Sequence, residues 1–211
     1  MNFKQLCLLL YVVLPVACQQ PPSDRQCMTV LERDSLIGNI AAQLPEAALV
    51  LRRGNDITSI MLAGMNIHDK RFSHMGICIR GASGPIVYHI VGAESGREDF
   101  IRKENVEDFF DVANNNAIGY APLVLSDAEL RRLDRTLYNW YRQRIPFDMS
   151  FDMSTDDSMY CSELVAKALK ELWPEDSISY TDTLGLRYYA VDNVLAFHKV
   201  DSVRYFGFCT E

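Results

Sequence analysis

Cys161 stands where a thiol could act as a nucleophile. The segment "DDSMYCSELVAKALKELW", residues 156–173, places it after an acidic loop and at the start of a predicted amphipathic helix. The partial positive charge of a helix N-terminus favours a thiolate, and an adjacent imidazole can take the thiol proton. A cysteine at this place can also be a small buried residue or half of a disulfide. The residues that surround it decide among these three interpretations.

Two of the four histidines lie on one predicted hairpin. The segment "RFSHMGICIRGASGPIVYHIVGA" contains two β-rich runs separated by "GASGP", which predicts two strands and a short turn. A two-residue turn at its centre pairs Arg80 with Pro85. The same register pairs Gly76 with His89 and puts His74 one diagonal step away on the same face. Such a pair can act as a base and the group that orients it.

The elements around these residues mix helices and strands. Both hairpin strands are apolar on both faces, which is typical of strands at the centre of a sheet. Ser126 and Glu129 form a capping box ahead of a leucine stripe, which predicts a long helix. The other predicted elements are a helix over 28–43, a strand within 45–56, a helix over 161–173 that Pro174 stops, a short helix at 191–197 and a strand at 203–208. This order predicts an α+β domain with a central antiparallel sheet.

Composition limits the number of domains and the class of partner. With 211 residues, of which 48% are hydrophobic, the chain can build one sizeable core. A formal charge of −7 with no basic stripe argues against nucleic acid as a partner. The spacing of His68 and His74 matches no common zinc motif, so neither a metal nor another cofactor is expected.

The N-terminus has the pattern of an export signal. Residues 1–17 contain a basic start and an apolar run that is too short for a stable membrane span. The run ends in "LPVAC", which resembles a bacterial lipoprotein signal and predicts that Cys18 is lipidated; plain secretion is the alternative. Residues 18–27 then form a tether, and residues 28–211 form the folded domain. The protein is therefore expected in the cell envelope, anchored to the membrane and facing the periplasm.

Export also bears on the remaining cysteines. In an oxidising compartment cysteines tend to pair, and chain ends often meet in a compact domain. Cys27 and Cys209 lie near opposite ends of the folded domain. The sequence therefore predicts a disulfide between these two cysteines.

Three segments together resemble a known family. "FSHMGICI", "VYHIVGA" and "IPFDMSFDMSTDDSMYCSELV" are similar to segments of the circularly permuted papain-like amidases of the YaeF/YiiX type, which are related to the NlpC cell-wall peptidases. In that family the base histidine comes first, on a strand near "SHxGI", and the cysteine comes last, in a "YCSELV"-like helix start. The resemblance covers about residues 46–200. It implies a permuted papain-like α+β fold with a central antiparallel sheet or half-barrel packed against helices.

The resemblance also assigns roles. Cys161 matches the nucleophile, His74 the base, and His89 the third, orienting group, where many members have a glutamate instead. Tyr160 could line the cleft or donate a hydrogen bond to the oxyanion, or could simply pack. Asp148 follows Pro146 and Phe147 in a "P-[FY]-D" segment, and it could orient the loop under the cysteine or merely make a turn.

These assignments predict a cysteine hydrolase that cleaves an amide bond. The thiolate attacks the carbonyl, and the histidine transfers the proton. The expected substrate is a cell-wall peptide or another amide of the envelope. One alternative is a thiol acyltransferase or lipid hydrolase of the lecithin:retinol acyltransferase-like type, although the "NCEH"-like motif of those enzymes is absent. Another is a non-catalytic envelope lipoprotein.

Overall fold

A computed structural model describes residues 28–92, 99–111, 113–183 and 185–208. The predicted signal and tether, including Cys18, lie outside these residues, and so do Cys27 and Cys209. Lipidation at Cys18 and the disulfide between Cys27 and Cys209 therefore stay predictions. No helix in the described ranges is long and apolar enough to cross a membrane.

A six-stranded sheet forms the centre of the domain, and every neighbouring pair in it is antiparallel. The strands in chain order are β1 Ala47–Gly54, β2 His74–Gly81, β3 Gly84–Ile90, β4 Ile101–Asn105, β5 Asn115–Pro122 and β8 Arg204–Gly207, while β6 Thr181–Thr183 and β7 Leu186–Tyr188 form a separate ladder. Their order across the large sheet is β4-β3-β2-β1-β5-β8. The predicted α+β class with a central antiparallel sheet is confirmed.

Six helices accompany the sheet: α1 Val30–Gln43, α2 Ile57–Gly64, α3 Val106–Phe110, α4 Asp127–Gln143, α5 Cys161–Leu172 and α6 Val191–Leu195. The predicted capping box starts α4, where Ser126 Oγ accepts from Glu129 N and the Glu129 carboxylate accepts from Ser126 N. The helix that follows "DDSMY" begins at Cys161, as predicted, and ends before Pro174. Neither α2 nor α3 was predicted from the sequence.

The predicted hairpin has the predicted register. Arg80 pairs with Pro85, and the ladder runs from the turn to the Ile77–Tyr88 pair. Strand β2 also pairs with β1 from His74 to Ile79, so the hairpin lies inside the sheet rather than at its edge. The turn itself needs a positive φ of 121° at Gly84, a conformation that glycine adopts without steric cost.

The sheet separates two apolar cores. On one face, Met75 and Ile77 of β2 pack with Leu164 and Val165 of α5. On the other face, Cys78 and residues of β3 and β5 pack with α1 and α3. Burying a side chain such as Leu164 completely contributes roughly 1.5–3 kcal/mol, which holds the start of α5 firmly against β2. The alternation of side chains along β2 therefore decides which face each candidate residue joins.

Candidate functional site

Three side chains form a continuous hydrogen-bonded relay across β2, β3 and β4. The His74 Nε2 atom lies 2.9 Å from His89 Nδ1. The other ring nitrogen of His89, Nε2, lies 2.6 Å from Glu104 Oε1. The sequence-based prediction that the two histidines share a face is confirmed by this contact.

The order of the relay fixes the tautomers. An ionised carboxylate only accepts, so His89 Nε2 carries the proton that it donates to Glu104. In neutral His89 the Nδ1 atom is then an acceptor, and His74 Nε2 must be the donor to it. Neutral His74 consequently has a lone pair on Nδ1, and that atom makes no hydrogen bond within the part of the chain that the structure describes. His74 is thus prepared to accept a proton at Nδ1.

Burial keeps both rings neutral. His89 is fully buried and His74 is 9% exposed, and the Phe109 ring packs against both. Loss of solvation lowers the pKa of His74 well below its ordinary value, and nearby Arg52 lowers this pKa further. Burial likewise lowers the pKa of His89, although the hydrogen bond to Glu104 opposes this shift.

Glu104 is the site residue that the sequence analysis missed. Burial raises the pKa of its carboxyl, but the hydrogen bond from His89 and the charges of Arg52 and Arg102 outweigh burial and lower it. Glu104 pairs with Val87 and Arg102 pairs with His89, so the "IRKEN" segment puts Arg102 and Glu104 on the histidine face. One apolar residue followed by four polar ones does not alternate, so the sequence of this segment did not indicate a strand beside β3.

Cys161 lies at the predicted position but in a different environment. It is the first residue of α5, it is partly exposed, and it packs against the Met75 side of the sheet. Burial raises the pKa of the Cys161 thiol, while the backbone N–H groups of Met75 and Ser162 act in the opposite direction. Because the burial effect is larger, Cys161 rests as a thiol rather than as the thiolate that a helix N-terminus alone would favour.

The thiol and the relay approach the end of β2 from opposite faces. Cys161 belongs to the Met75 core, whereas His74 and His89 contact Phe109 of the other core. In the described residues no hydrogen bond joins Cys161 to either histidine. Yet the N–H that faces the Cys161 sulfur belongs to Met75, the residue next to His74 in the chain. The Cys161 thiol and the His74 ring therefore both lie at the start of β2, on its two opposite faces.

A narrow cavity of about 30 Å³ lies beside the thiol. Its polar wall contains Ser73, Asn66 and Ser162, and its apolar wall consists of Leu62, Met65, Phe151, Tyr188 and Val191 with their neighbours. A void of this size holds about one water molecule. The cavity thus gives the thiol an aromatic and aliphatic surround with a few polar groups.

Hydrogen bonds from the C-terminal part of the chain fix this wall. One oxygen of Asp192 accepts from three consecutive backbone amides, those of residues 67–69, at 2.8, 2.6 and 3.3 Å. Asn66 accepts from Val191 N at 3.0 Å, and Tyr188 Oη donates to Met65 O at 2.8 Å. The α2–β2 connection is therefore held by α6 and β7 in addition to its own hydrogen bonds, such as that from Asn66 Nδ2 to Phe72 O.

Tyr160 and Asp148 have positioning contacts. Tyr160 is buried, lines the cavity, and its hydroxyl oxygen accepts from Tyr189 N at 2.7 Å. The Asp148 carboxylate accepts from Ser150 N at 2.8 Å and from Asp152 N at 2.6 Å, so it closes the turn that precedes α5. Asp148 N also donates to Met159 O at 3.0 Å, which ties this loop to the entry of the helix.

His68 lies apart from the relay, in the exposed α2–β2 connection. In the four described ranges, no group of three or more histidine, cysteine or acidic side chains is arranged to hold a metal ion. In the relay, His74 Nε2, both ring nitrogens of His89 and Glu104 Oε1 are instead hydrogen-bonded within the relay.

Comparison with known proteins supports the fold. No protein-family model matches the chain, and no curated protein matches it at a significant level. A solved structure does match: the metalloprotein YiiX from Escherichia coli O157:H7, of the DUF1105 group, with a TM-score of 0.60. The two are 15% identical, and the match covers 80% of this chain and 99% of that one. The chain therefore has the fold of YiiX, the type that its histidine and cysteine segments resemble.

Proposed function

We propose that the protein is a cysteine hydrolase of the permuted papain-like type that cleaves an amide bond. The observation that carries the proposal is the Glu104–His89–His74 relay, which leaves a lone pair on His74 Nδ1 at the strand end that the Cys161 sulfur contacts. The chain order, histidine before cysteine, is the order of the permuted family. YiiX shares the fold, and the proposal takes from it the fold alone.

The reaction starts from a neutral pair. His74 Nδ1 takes the Cys161 proton directly or through one water molecule as the sulfur attacks the substrate carbonyl carbon. The imidazolium then gives this proton to the leaving amine, and the C–N bond breaks to leave a thioester. Water, deprotonated by His74, hydrolyses the thioester and restores the thiol. His89 and Glu104 stabilise the transient positive charge on His74 in both steps.

Two backbone amides are suited to the oxyanion. The N–H of Cys161 belongs to the first turn of α5, where amides have no partner in the helix. The N–H of Met75 lies beyond the Ile77–Tyr88 end of the β2–β3 ladder and faces the sulfur. A pair of such donors beside the nucleophile stabilises a developing negative charge on the carbonyl oxygen.

We propose an envelope substrate, such as a cell-wall peptide, for an exported protein that Cys18 anchors to the membrane. The test is incubation of purified protein with cell-wall fragments and with lipids, followed by mass spectrometry of the products. A product that is lost in Cys161→Ala and retained in the matched variant Cys78→Ala would support the proposal. Equal turnover by both variants, or an unreactive Cys161 with no product from any fraction, would refute it in favour of a non-catalytic lipoprotein.

An acyltransferase or lipid hydrolase is the second candidate, and the apolar wall of the cavity favours it. Leu62, Phe151 and Val191 give the thiol apolar surroundings, and the cavity of about 30 Å³ would have to widen before an acyl chain could enter it. The same incubation distinguishes the two activities when an amine or alcohol acceptor is added. Acyl transfer to the acceptor in preference to water would identify the transferase.

A further inference from the structure

The outer face of α2 is apolar and exposed. Ile57, Ile60 and Met61 are 75%, 53% and 69% exposed, and their i, i+3, i+4 spacing puts them on one stripe of the helix. Ile67, just beyond the helix, is 53% exposed. Four large apolar side chains grouped in this way are unlike the single exposed residues of ordinary surfaces, and such groups mark interaction sites.

Basic residues lie on either side of this stripe in the chain, Arg53 before α2 and Lys70 and Arg71 after Ile67. An open depression next to the α2–β2 connection is lined by Arg53, His68, Lys70 and Arg71, together with Asp69 and Tyr205. Asp69 pairs with Arg71 at 2.7 Å, which leaves an excess of two positive charges from Arg53 and Lys70. Lys70 makes no ion pair with any described residue. This local excess stands out in a chain whose formal charge is −7.

Arg53 retains an unused hydrogen-bond donor at the same place. Its Nη1 donates to Lys70 O at 3.2 Å, which fixes the side chain against the α2–β2 connection. Its Nε atom is buried without a hydrogen-bond partner among the described residues. An anionic group with several oxygens would suit the Lys70 ammonium and the positive charge of the Arg53 guanidinium.

The inner side of the same helix belongs to the thiol cavity. Leu62 of α2 and Met65, its C-cap residue, line the cavity beside Cys161. The connection that follows is held rigidly by the Asp192 carboxylate. A surface that binds the outer face of α2 would therefore lie one helix diameter from the reactive sulfur.

We propose that the apolar stripe of α2 and its basic border form a docking surface for an anionic phospholipid bilayer. Apolar side chains enter the boundary between headgroups and acyl chains, while Lys70 and Arg53 bind the lipid phosphates. Positive charge beside an apolar face is the combination that binds anionic headgroups and acyl chains together. The surface does not depend on the proposed catalysis.

Brominated lipids test the position of α2 directly. Met61→Trp places a tryptophan on the stripe, and Tyr138→Trp places one at another exposed site, on α4. Both are made in a Cys161→Ala chain so that turnover cannot alter the lipids. On mixed phosphatidylcholine–phosphatidylglycerol vesicles with dibrominated chains, we expect quenching of the introduced tryptophan in Met61→Trp alone. Because the readout is local, an N-terminal anchor shared by both proteins does not change the comparison.

Charge and apolarity are then varied separately. Lys70→Gln should weaken the binding that gives this quenching about fivefold, and added salt should reduce the difference. Ile60→Asp should abolish the quenching, whereas Leu31→Asp, which changes an exposed leucine on α1, should leave it unchanged. Equal quenching at both tryptophan sites, equal binding to vesicles without phosphatidylglycerol, or a dimer that Ile60→Asp dissociates would each overturn the proposal.

Discussion

The two faces of the sheet supply the proposed site in different ways. On one face, Cys161 is positioned by apolar packing of α5 against β2. On the other, His74 is positioned by hydrogen bonds through His89 to Glu104. Packing tolerates small displacements of a thiol, whereas a relay with distances of 2.9 and 2.6 Å defines both the orientation and the protonation of its rings.

Both faces nevertheless disfavour charge in the resting state. Burial raises the pKa of Cys161 and lowers the pKa of His74, so the proposed pair is a thiol and a neutral imidazole. Charge separation would then arise only when a substrate brings its own carbonyl to the two backbone amides. Reactivity of the free protein is consequently a poor measure of its catalytic rate.

The two cysteines on opposite faces give the largest expected contrast. Cys161→Ala removes the nucleophile and should abolish turnover of whichever substrate is identified, with little loss of stability because this residue is partly exposed. Cys78→Ala should retain turnover but lower the free energy of unfolding by about 1 kcal/mol, because Cys78 is fully buried. Activity assays and denaturant titrations of both variants check this; residual turnover by Cys161→Ala would contradict the assignment.

Labelling with iodoacetamide compares the same two thiols. Burial raises the pKa of Cys78 to about 12, and this residue has no exposed surface, so native protein should be labelled at Cys161 first. Peptide mapping after short exposure measures the order. Equal labelling of the two thiols in folded protein would show that α5 does not present Cys161 as described.

Removal of the proposed base should cause the next largest decrease in kcat/KM. His74→Gln eliminates the acceptor at Nδ1 and should lower kcat/KM by roughly 10²–10⁴-fold. His68→Gln is the matched control, since His68 lies in the exposed α2–β2 connection and takes no part in the relay. Similar activity of the two variants would exclude His74 as the base.

Glu104→Gln tests the far end of the relay. A neutral amide can donate to His89 instead of accepting from it, which would reverse the tautomers of both histidines, and we expect roughly a 10²-fold loss in kcat/KM. Glu107→Gln, on the exposed side of α3, is the control and should have full activity. A loss confined to stability, with an unchanged pH profile of the remaining activity, would contradict a role for Glu104 in fixing the tautomer.

Glu104 also changes what is expected of His89. The family that the sequence resembles often has a glutamate where this chain has His89, and that resemblance alone predicts that His89→Glu retains much of the activity. Here a carboxylate at that position would lie beside the Glu104 carboxylate, and two like charges in a buried site disfavour ionisation of both. His89→Glu should therefore be nearly inactive, and the double variant His89→Glu with Glu104→Gln should recover part of the loss.

Gly76→Ala should disturb the relay through the backbone. A Cβ at this position would lie 2.8 Å from Tyr88 O and 2.9 Å from His89 Cβ. Relief of these contacts requires β2 and β3 to separate, at a cost of roughly 1–3 kcal/mol in the free energy of unfolding. Gly38→Ala in α1, where nothing lies within 4 Å, should not be destabilised, and thermal unfolding of the two variants measures the difference.

The smallest expected effect is on the pH dependence of stability. Both histidines have pKa values below 6.5 when folded, so the unfolded chain binds more protons as the pH falls from 6.5 towards the folded values. Protonation of these histidines therefore costs no stability above pH 6.5. Below that pH, the free energy of unfolding decreases as the pH falls towards the folded pKa values. Glu104 acts in a lower window, because its lowered pKa stabilises the fold above 4.5. Denaturant titrations of wild type and His74→Gln should give a shallower acid decline in the variant.

Some features of the two faces could be predicted from the sequence. The hairpin register followed from a two-residue turn and the period of a strand, so the approach of His74 to His89 was predictable. The start of α5 at Cys161 followed from the helical pattern and Pro174. These features depend on residues close together in the chain.

The rest depends on tertiary packing. Glu104 reaches His89 only because β4 pairs with β3 after a connection of irregular sequence, and no local pattern fixes that pairing. The face on which α5 packs is likewise chosen by the core as a whole, so the helix N-terminus did not reveal that burial would raise the thiol pKa. The apolar α2 was not predicted because eight residues give too few turns to establish a period.

The hydrogen bonds from the amides of residues 67–69 to Asp192 have a consequence for biosynthesis. The amides and the carboxylate are 123 to 125 residues apart in the chain, and Tyr188 and Val191 complete the same wall. A chain emerging from the ribosome therefore carries Cys161 before it carries the residues that shape the surroundings of the sulfur. The proposed enzyme would therefore become competent only after residues 188–192 have been synthesised and have folded against residues 65–69.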